Sequence, residues 1–213
     1  MRVLGIDPGL TRCGIGVVEV DARRKATLVH VGVVRTRPDL ALHFRLRDVA
    51  NGIRDALARY SPDVVAIERV FTQDNLQSVT PTTQVMGAAM AEVGRLGLPL
   101  GVYTPSEVKA AVTGSGVASK SQVQHMVARI LRLNGPPKPA DAADALAIAI
   151  CHAWRGTGLL GAGLAGAGDE DTVQVSLSGK VRTKGSLTPA QQAWTQAAAL
   201  QRRKGAVDPR RRS

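Results

Sequence analysis

The first part of the chain alternates short apolar runs with polar turns, a pattern typical of strands. Residues 1–7 form a short apolar strand that ends in Asp7, and a Pro-Gly turn follows it directly. Two further runs, at 15–20 and 27–34, are rich in β-branched residues, and a charged loop separates them. The pattern predicts three antiparallel strands, the first of which is buried on both faces.

A helix and a second buried strand repeat this plan. Between residues 40 and 60, apolar positions recur at three- and four-residue spacing, which predicts an amphipathic helix. Residues 63–68 form another apolar strand, and it too ends in a carboxylate, that of Glu68. A fifth strand is predicted at 99–103.

Four more helices complete the predicted elements. The first has Thr80 as its N-cap and Pro81 at the first helical position, and it runs to about Leu96. The others begin at Thr104, at Ser119 and near Asp141, and they end before residue 114, at Leu133 and at Trp154.

These elements predict an α/β fold in which a five-stranded mixed sheet is flanked by helices. Open sheets of this kind bind ligands at the carboxyl ends of their strands, and Asp7 and Glu68 both fall there. A buried carboxylate must be paired, protonated or bound to a cation. Asp7 is therefore expected to share a cation with other acids.

The composition changes after residue 155. Residues 1–155 carry all the predicted strands and most of the helical pattern, and we interpret them as one domain. Residues 156–213 are rich in Gly, Ala, Ser, Thr, Lys and Arg and have little apolar periodicity, although 191–204 has helical propensity. From Arg155 onward there are ten Lys or Arg and four Asp or Glu. We expect this segment to be a flexible basic tail.

The charge of the chain narrows the class of partner. The net charge is +11 and the sequence pI is about 10.6, which favours an anionic partner such as nucleic acid. Basic residues exceed acidic ones both in residues 1–154 and beyond them.

The cysteines and the start of the chain indicate the cellular compartment of the protein. Cys13 and Cys151 have no Cys or His neighbour at metal-finger spacing, which argues against a disulfide scaffold or a zinc module, and we assign both to packing. There is no signal-peptide pattern and no apolar run of membrane-spanning length. We expect a soluble cytoplasmic protein without a membrane partner.

His43 and His125 fall within helical patterns and are interpreted as surface or boundary residues.

A pair of acids near the end of the predicted domain is a candidate for chemistry. Asp141 and Asp144 are spaced i and i+3, so they share one face at the start of a helix. Taken alone, such a pair can simply cap the helix. Together with Asp7 and Glu68, it would form a dense negative cluster that selects Mg²⁺ or Mn²⁺. Such a cluster suits phosphodiester hydrolysis assisted by two metal ions.

Five motifs, in order along residues 1–154, make the sequence resemble the RuvC family of Holliday junction resolvases, bacterial endonucleases of the ribonuclease H-like fold. The motifs are Gly5-Ile6-Asp7-Pro8-Gly9, Ile67-Glu68-Arg69-Val70-Phe71, Gly114-Ser115-Gly116, the stretch from Lys120 to Val127, and the stretch from Ala140 to Ala149.

The resemblance assigns roles to individual residues. It implies that four acids hold the catalytic metals, which are two Mg²⁺ ions for which Mn²⁺ can substitute: Asp7, Glu68, Asp141 and Asp144. It implies that Lys109 and Lys120 lie near the scissile phosphate and that Phe71 acts on unpaired bases at the strand exchange point. Without it, the lysines would be read as solvated residues and Phe71 as folded back onto the core.

The resemblance also implies how the protein works. A family member is a homodimer that resolves four-way DNA junctions, in recombination and repair, by symmetric paired nicking of opposing strands. Family members are thought to cooperate with a branch-migration motor complex. The smooth helix expected at 80–96, with its small residues and methionines, suits close packing across a two-fold axis.

Three other functions compete with this one. An actin-like ATPase or kinase would place Asp7-Pro8-Gly9 against a nucleotide, but it needs a second phosphate loop and a second domain. A junction-binding protein without catalysis is disfavoured because all four acids are present. A related nuclease that acts on structured RNA is the nearest alternative.

Overall fold

The structure, a computed structural model, describes residues 1–69 and 76–155, and of residues 76–79 and 140 it describes the backbone alone. Phe71 and the segment 156–213 therefore lie outside the described residues. The elements are β1 (Arg2–Asp7), β2 (Arg12–Val20), β3 (Ala26–Arg35), α1 (Leu42–Tyr60), β4 (Val64–Glu68), α2 (Leu76–Arg95), β5 (Leu100–Tyr103), α3 (Pro105–Thr113), α4 (Lys120–Ile130) and α5 (Ala140–Arg155).

The five strands form one mixed sheet in the order β3-β2-β1-β4-β5. The pairs β1/β2 and β2/β3 are antiparallel, whereas β1/β4 and β4/β5 are parallel. The predicted five-stranded mixed sheet is thus confirmed. Because β1 and β4 run in the same direction and Ile6 pairs with Ile67, the carboxyl ends of both strands lie at the same edge of the sheet.

Each face of the sheet buries its own apolar cluster, as alternation along the strands requires. One cluster includes Val3 and Val18 and packs under α3, α4 and α5. The other includes Leu4 and Val17 and packs under α1 and α2, for example against Ile53. Both clusters consist mainly of residues with almost no exposed surface.

Helix α5 lies directly on the backbone of β1 and β2 because three glycines face it. A Cβ atom on Gly5 would lie 2.1 Å from the carbonyl oxygen of Ala145, and one on Gly16 would lie 2.6 Å from the amide nitrogen of Leu146. At Gly14 the same atom would lie 2.3 Å from the carbonyl oxygen of Asp141. No side chain fits between this helix and these strands.

The far end of α5 is held by polar contacts. The Tyr103 hydroxyl shares a hydrogen bond of 2.8 Å with His152 Nδ1, and burial lowers the pKa of that histidine. The indole N–H of Trp154 donates to the carbonyl oxygen of Arg24 at 3.3 Å. These contacts tie the helix to β5 and to the β2–β3 turn.

Two predicted helix boundaries were wrong. Helix α2 begins at Leu76 rather than after Thr80, so Pro81 lies inside it instead of opening it. Pro81 is the sixth residue of α2, where its missing N–H removes one backbone hydrogen bond of the helix. Helix α4 ends at Ile130 rather than Leu133. Across residues 1–69 and 76–155, no helix combines the length and the apolar character needed to cross a membrane.

Candidate active site

Two carboxylates meet where the central parallel strands end. Asp7 is the last residue of β1 and Glu68 the last of β4, and the preceding residues of the two strands are paired neighbours. Both side chains are partly shielded from solvent. The strands that carry them are buried, so the two acids occupy fixed positions at one edge of the sheet.

Two more carboxylates come from the first turns of α5. The close approach of Gly14 to Asp141 brings the start of this helix against β2, and Gly14 is the register partner of Asp7. Asp141 follows the first residue of the helix, so it is not the N-cap. Its side chain forms an ion pair with Arg12 of β2, and that of Asp144 forms one with Lys120 of α4.

The electrostatics show that the four acids influence one another. Burial raises the pKa of Asp7 to about 7, and the charges of Glu68, Asp144 and Asp141 act in the same direction. Burial also raises the pKa of Glu68 to about 7, with a further contribution from Asp144. Lys120 opposes both shifts. The pKa values of Asp7 and Glu68 are therefore raised mainly by burial, and the neighbouring negative charges add to the shift.

Two basic side chains partly neutralise the cluster. Lys120 Nζ lies 2.7 Å from Asp144 Oδ2, and this hydrogen bond is the main reason that the pKa of Lys120 is raised. Arg12, the first residue of β2, donates from Nε to Asp141 Oδ2. Both cations keep substantial solvent exposure, since 58% of the Lys120 side chain and 43% of the Arg12 side chain are accessible.

A cavity of about 240 Å³ opens beside the acids, and we call it the inner cavity. Glu68 and Asp144 line it on one side, and Lys109 of α3 and Lys120 of α4 also line it. The charge of Lys109 lowers the pKa of Glu68, so this lysine also acts on the acids. The inner cavity therefore offers both carboxylate oxygens and ammonium groups to a ligand.

The turn that follows Asp7 is held by a network of hydrogen bonds centred on Arg45 of α1. Arg45 donates to Thr36 Oγ1 at 3.0 Å and to Thr11 Oγ1 at 2.7 Å. The Thr36 hydroxyl donates in turn to the carbonyl oxygen of Leu10 at 2.6 Å. This network fixes the segment that presents Arg12 to the carboxylates.

The donor set suits a hard divalent cation, but the side chains are not arranged as ligands. Within the described ranges, no three His, Cys, Asp or Glu side chains form a group that could hold a metal ion. Asp141 is instead engaged by Arg12, and Asp144 by Lys120. The raised pKa values of Asp7 and Glu68 are what a carboxylate site shows before it gains a cation.

The structure brings together six of the residues singled out in the sequence, namely Asp7, Glu68, Lys109, Lys120, Asp141 and Asp144. His43 lies away from this group, with its ring 4.1 Å from that of Phe44, whereas His125 lines a separate groove. The sequence patterns did not indicate that Arg12, Gly14 and Arg45 contribute to the site. A basic residue five positions after a strand-terminal acid was the available signal for Arg12.

Comparisons with known proteins agree on one family. The family model described as crossover junction endodeoxyribonuclease RuvC matches residues 3–152. A protein of that description from Leifsonia xyli is 57% identical over 195 residues, which cover 91% of this chain and 90% of the relative. Another, from Paenarthrobacter aurescens, is 52% identical over 204 residues, which cover 96% and 98%. The sequence similarity thus continues into the segment after residue 155.

A solved structure has the same fold. The structure described as T. thermophilus RuvC in complex with Holliday junction substrate is 38% identical and superimposes with a TM-score of 0.69. The match covers 73% of this chain and 94% of that one. The ribonuclease H-like arrangement expected from the sequence is confirmed.

Proposed function

The chain belongs to the RuvC family of crossover junction endodeoxyribonucleases, and from this membership we propose that it resolves Holliday junctions. It is a nuclease that acts on four-way DNA junctions by hydrolysing phosphodiester bonds in opposing strands, in the course of recombination and repair. The observation that carries the proposal is the meeting of four acids and two lysines at one edge of the sheet, in a chain of this family.

Metal dependence is general for this family, and we propose Mg²⁺ as the ion, two per site, with Mn²⁺ as a substitute. Asp7, Glu68, Asp141 and Asp144 would hold the ions, and oxygen ligands of this type suit them. Bound ions would supply an activated water and stabilise the leaving oxygen. The ion pairs with Arg12 and Lys120 must open before all four acids can act as ligands.

The two lysines of the inner cavity are also proposed to bind the DNA backbone. Once Asp144 is engaged elsewhere, the ammonium group of Lys120 is free to pair with a phosphate in the inner cavity. Lys109 lines the same cavity and can hold the phosphate from the α3 side. A DNA strand seated there would have its backbone positioned by both cations, as phosphate contacts do in general.

Arg12 is proposed to hold Asp141 in the metal-free protein and to release it when a metal ion binds. Its guanidinium holds the carboxylate at the start of α5, and the Arg45 network holds the turn that carries Arg12. The basic charge next to the acids also limits their repulsion when no metal is bound.

We propose further that the protein acts as a homodimer, because paired nicks in opposing strands need two sites. Helix α2 supports this, since Gly87 and Gly94 would each accept a Cβ atom with no neighbour within 4 Å. The role of Phe71 at unpaired bases and the coupling to a branch-migration motor complex remain proposals that rest on the family alone.

The proposal is tested by cleavage of a synthetic four-way DNA junction with Mg²⁺, with Ca²⁺ and without metal. The wild type is compared with Asp7→Asn and Glu68→Gln, and with Asp55→Asn as a control for an exposed carboxylate on α1. Paired nicks are expected with Mg²⁺ only, and neither site variant should cut while both still bind the junction. Failure of the wild type to make paired nicks would overturn the proposal.

A junction of the same sequence made of RNA tests the nearest alternative. Cleavage of the RNA junction at a rate equal to or above that of the DNA junction would assign the chain to structured RNA instead.

A further inference from the structure

A second cavity lies on the same pair of helices as the inner cavity, and we call it the outer groove. Its volume is about 580 Å³, which is in the range of sites that hold molecules of nucleotide size. It is lined by Thr113 at the end of α3, Ser115 and Val117 of the connecting loop, and Ser121, Gln122 and His125 of α4. None of the described residues that line it is acidic.

The outer groove adjoins the inner cavity through consecutive residues. On α3, Thr113 is one helical turn beyond Lys109, and its hydroxyl donates to the carbonyl oxygen of Lys109 at 2.8 Å. On α4, Lys120 lines the inner cavity and Ser121 lines the outer groove. One helical turn spans about 5.4 Å, so Lys109 and Thr113 place the two cavities next to each other along α3.

Hydrogen bonds and helix caps hold the loop between the two helices. Its first residue, Gly114, has a positive φ of 82° and caps α3 through its N–H. The amide of Ser115 donates to Thr113 Oγ1 at 3.1 Å, and the amide of Ala118 donates to the carbonyl oxygen of Ser115 at 3.3 Å. Ser119 and Gln122 form a capping box that opens α4. These hydrogen bonds hold the loop that lines the outer groove.

An apolar residue on this loop faces solvent. Val117 is 92% exposed, far more than any other large apolar residue among those the structure describes. An exposed valine offers an apolar contact surface for the flat face of a base or for a sugar. Around it, the hydroxyl of Ser121, the amide NH₂ of Gln122 and the ring of His125 offer the donors and acceptors that base edges require.

We propose that the outer groove binds a base of the cleaved strand next to the scissile phosphate and thereby contributes to the choice of cut site. The inference rests on the proposed function, because the inner cavity must hold the phosphate. The lysines would fix the backbone irrespective of sequence, and the outer groove would distinguish the bases. Val117 contacts the base, and Ser121 and His125 read its edge.

The test uses the full-length protein and a set of four-way junctions in which the nucleotides next to the branch point are randomised. Cut sites are sequenced for the wild type, for Ser121→Ala and for the double variant Val117→Ser with His125→Ala. These side chains are exposed, so all variants should fold. Gln124→Ala on α4 and Val29→Ser on β3 are matched controls, because neither residue lines the groove.

The wild type is expected to prefer particular bases at one or two positions next to the cut. In the double variant, the ratio of rates between the best and worst base should fall by about fivefold or more, the lower end of what one base contributes. Ser121→Ala should reduce the same ratio to a smaller degree, and the controls should retain it.

A base preference in the double variant that stays within about twofold of the wild type overturns the inference and leaves the proposed function intact. A wild type that cuts junctions without any base preference also overturns it. A wild type that cuts no junction defeats the proposed function, and the inference falls with it.

Discussion

Gly14 faces the carbonyl oxygen of Asp141 so closely that a Cβ atom on Gly14 would lie 2.3 Å from it. The same atom would lie 3.2 Å from the Cβ atom of Asp7. The absence of one side chain on β2 thus allows an acid on a strand and an acid on a helix to share a site. The seating of α5 on the sheet is a condition for the cluster, and it depends on glycine.

Gly14→Ala is expected to push the start of α5 away from β2. The obstacle is backbone, which cannot rotate aside, so the variant should lose about 1–3 kcal/mol of unfolding free energy. Cleavage should fall by more than this loss of stability explains, because Asp141 moves away from Asp7. Thermal unfolding and junction cleavage, measured below the melting temperature, check both.

The control for Gly14→Ala is Gly135→Ala, where no heavy atom lies within 4 Å of the added Cβ. It should be neutral in both assays. Equal cleavage by the two alanine variants would show that the approach of Gly14 to Asp141 does not matter for the site.

Lys120→Met should separate metal binding from catalysis. The ammonium group competes with a cation for Asp144, so its removal is expected to tighten Ca²⁺ binding by about five- to tenfold. Cleavage with Mg²⁺ should nevertheless fall, because the phosphate loses a positive partner. Calorimetric titration with Ca²⁺ and single-turnover cleavage measure the two effects.

Arg12→Ala is the comparison for Lys120→Met. It also removes a competitor for a carboxylate, that of Asp141, but Arg12 does not line the inner cavity. Tighter Ca²⁺ binding with a smaller loss of cleavage is expected. Weaker Ca²⁺ binding in both variants would contradict the proposal that Arg12 and Lys120 occupy the carboxylates until a metal ion binds.

The stability of the metal-free protein should fall as the pH rises from about 4 to about 7. The folded carboxyls of Asp7 and Glu68 keep their protons up to a pKa of about 7, whereas the unfolded chain releases them near pH 4. The folded state therefore binds more protons across this interval, and the unfolding free energy decreases with rising pH.

Asp7→Asn removes one of these groups and should reduce the pH dependence. Between pH 5 and pH 8, in the presence of a chelator, its stability relative to the wild type should improve by on the order of 2 kcal/mol. Asp55→Asn, at an exposed position on α1, should follow the wild type. An equal change of unfolding free energy with pH in all three proteins would refute the prediction that the buried charge of Asp7 destabilises the fold.

Removal of residues 157–213 should lower the salt dependence of junction binding. This segment holds nine Lys or Arg, and each phosphate contact adds about 0.9 to the slope of log K against log salt. A slope reduced by several units is expected, with the cut sites unchanged. An identical slope would exclude phosphate contacts from this segment and favour a protein partner for it.

The sequence predicted the elements that carry the acids better than the contacts between them. Apolar runs that end in Asp7 and Glu68 are local signals, and the structure confirmed both strands. The spacing of Asp141 and Asp144 likewise placed both on one helix. Their partners could not be predicted, because Arg12 and Asp141 are 129 residues apart and no local pattern joins them.

The glycines of β1 and β2 show a second limit of sequence reasoning. Gly5, Gly14 and Gly16 look like weak points in a strand pattern, since glycine disfavours strands. Their role emerges only when α5 is placed on the sheet, where every one of them faces helix backbone. The start of α2 was mispredicted for a related reason, because Thr80 and Pro81 form a typical opening that the fold does not use.

The hydrogen bond from Trp154 to Arg24 places a fluorescent side chain of α5 against the β2–β3 turn. Trp154 lies 13 residues after Asp141 on the same helix, a distance of about 20 Å. Its indole therefore senses the position of the helix relative to the sheet from a point remote from the acids. Because the chain has only two tryptophans, replacing Trp194 by Phe would leave one emitter. The fluorescence of Trp154 would then report, without a label, whether this end of α5 keeps its contact with Arg24.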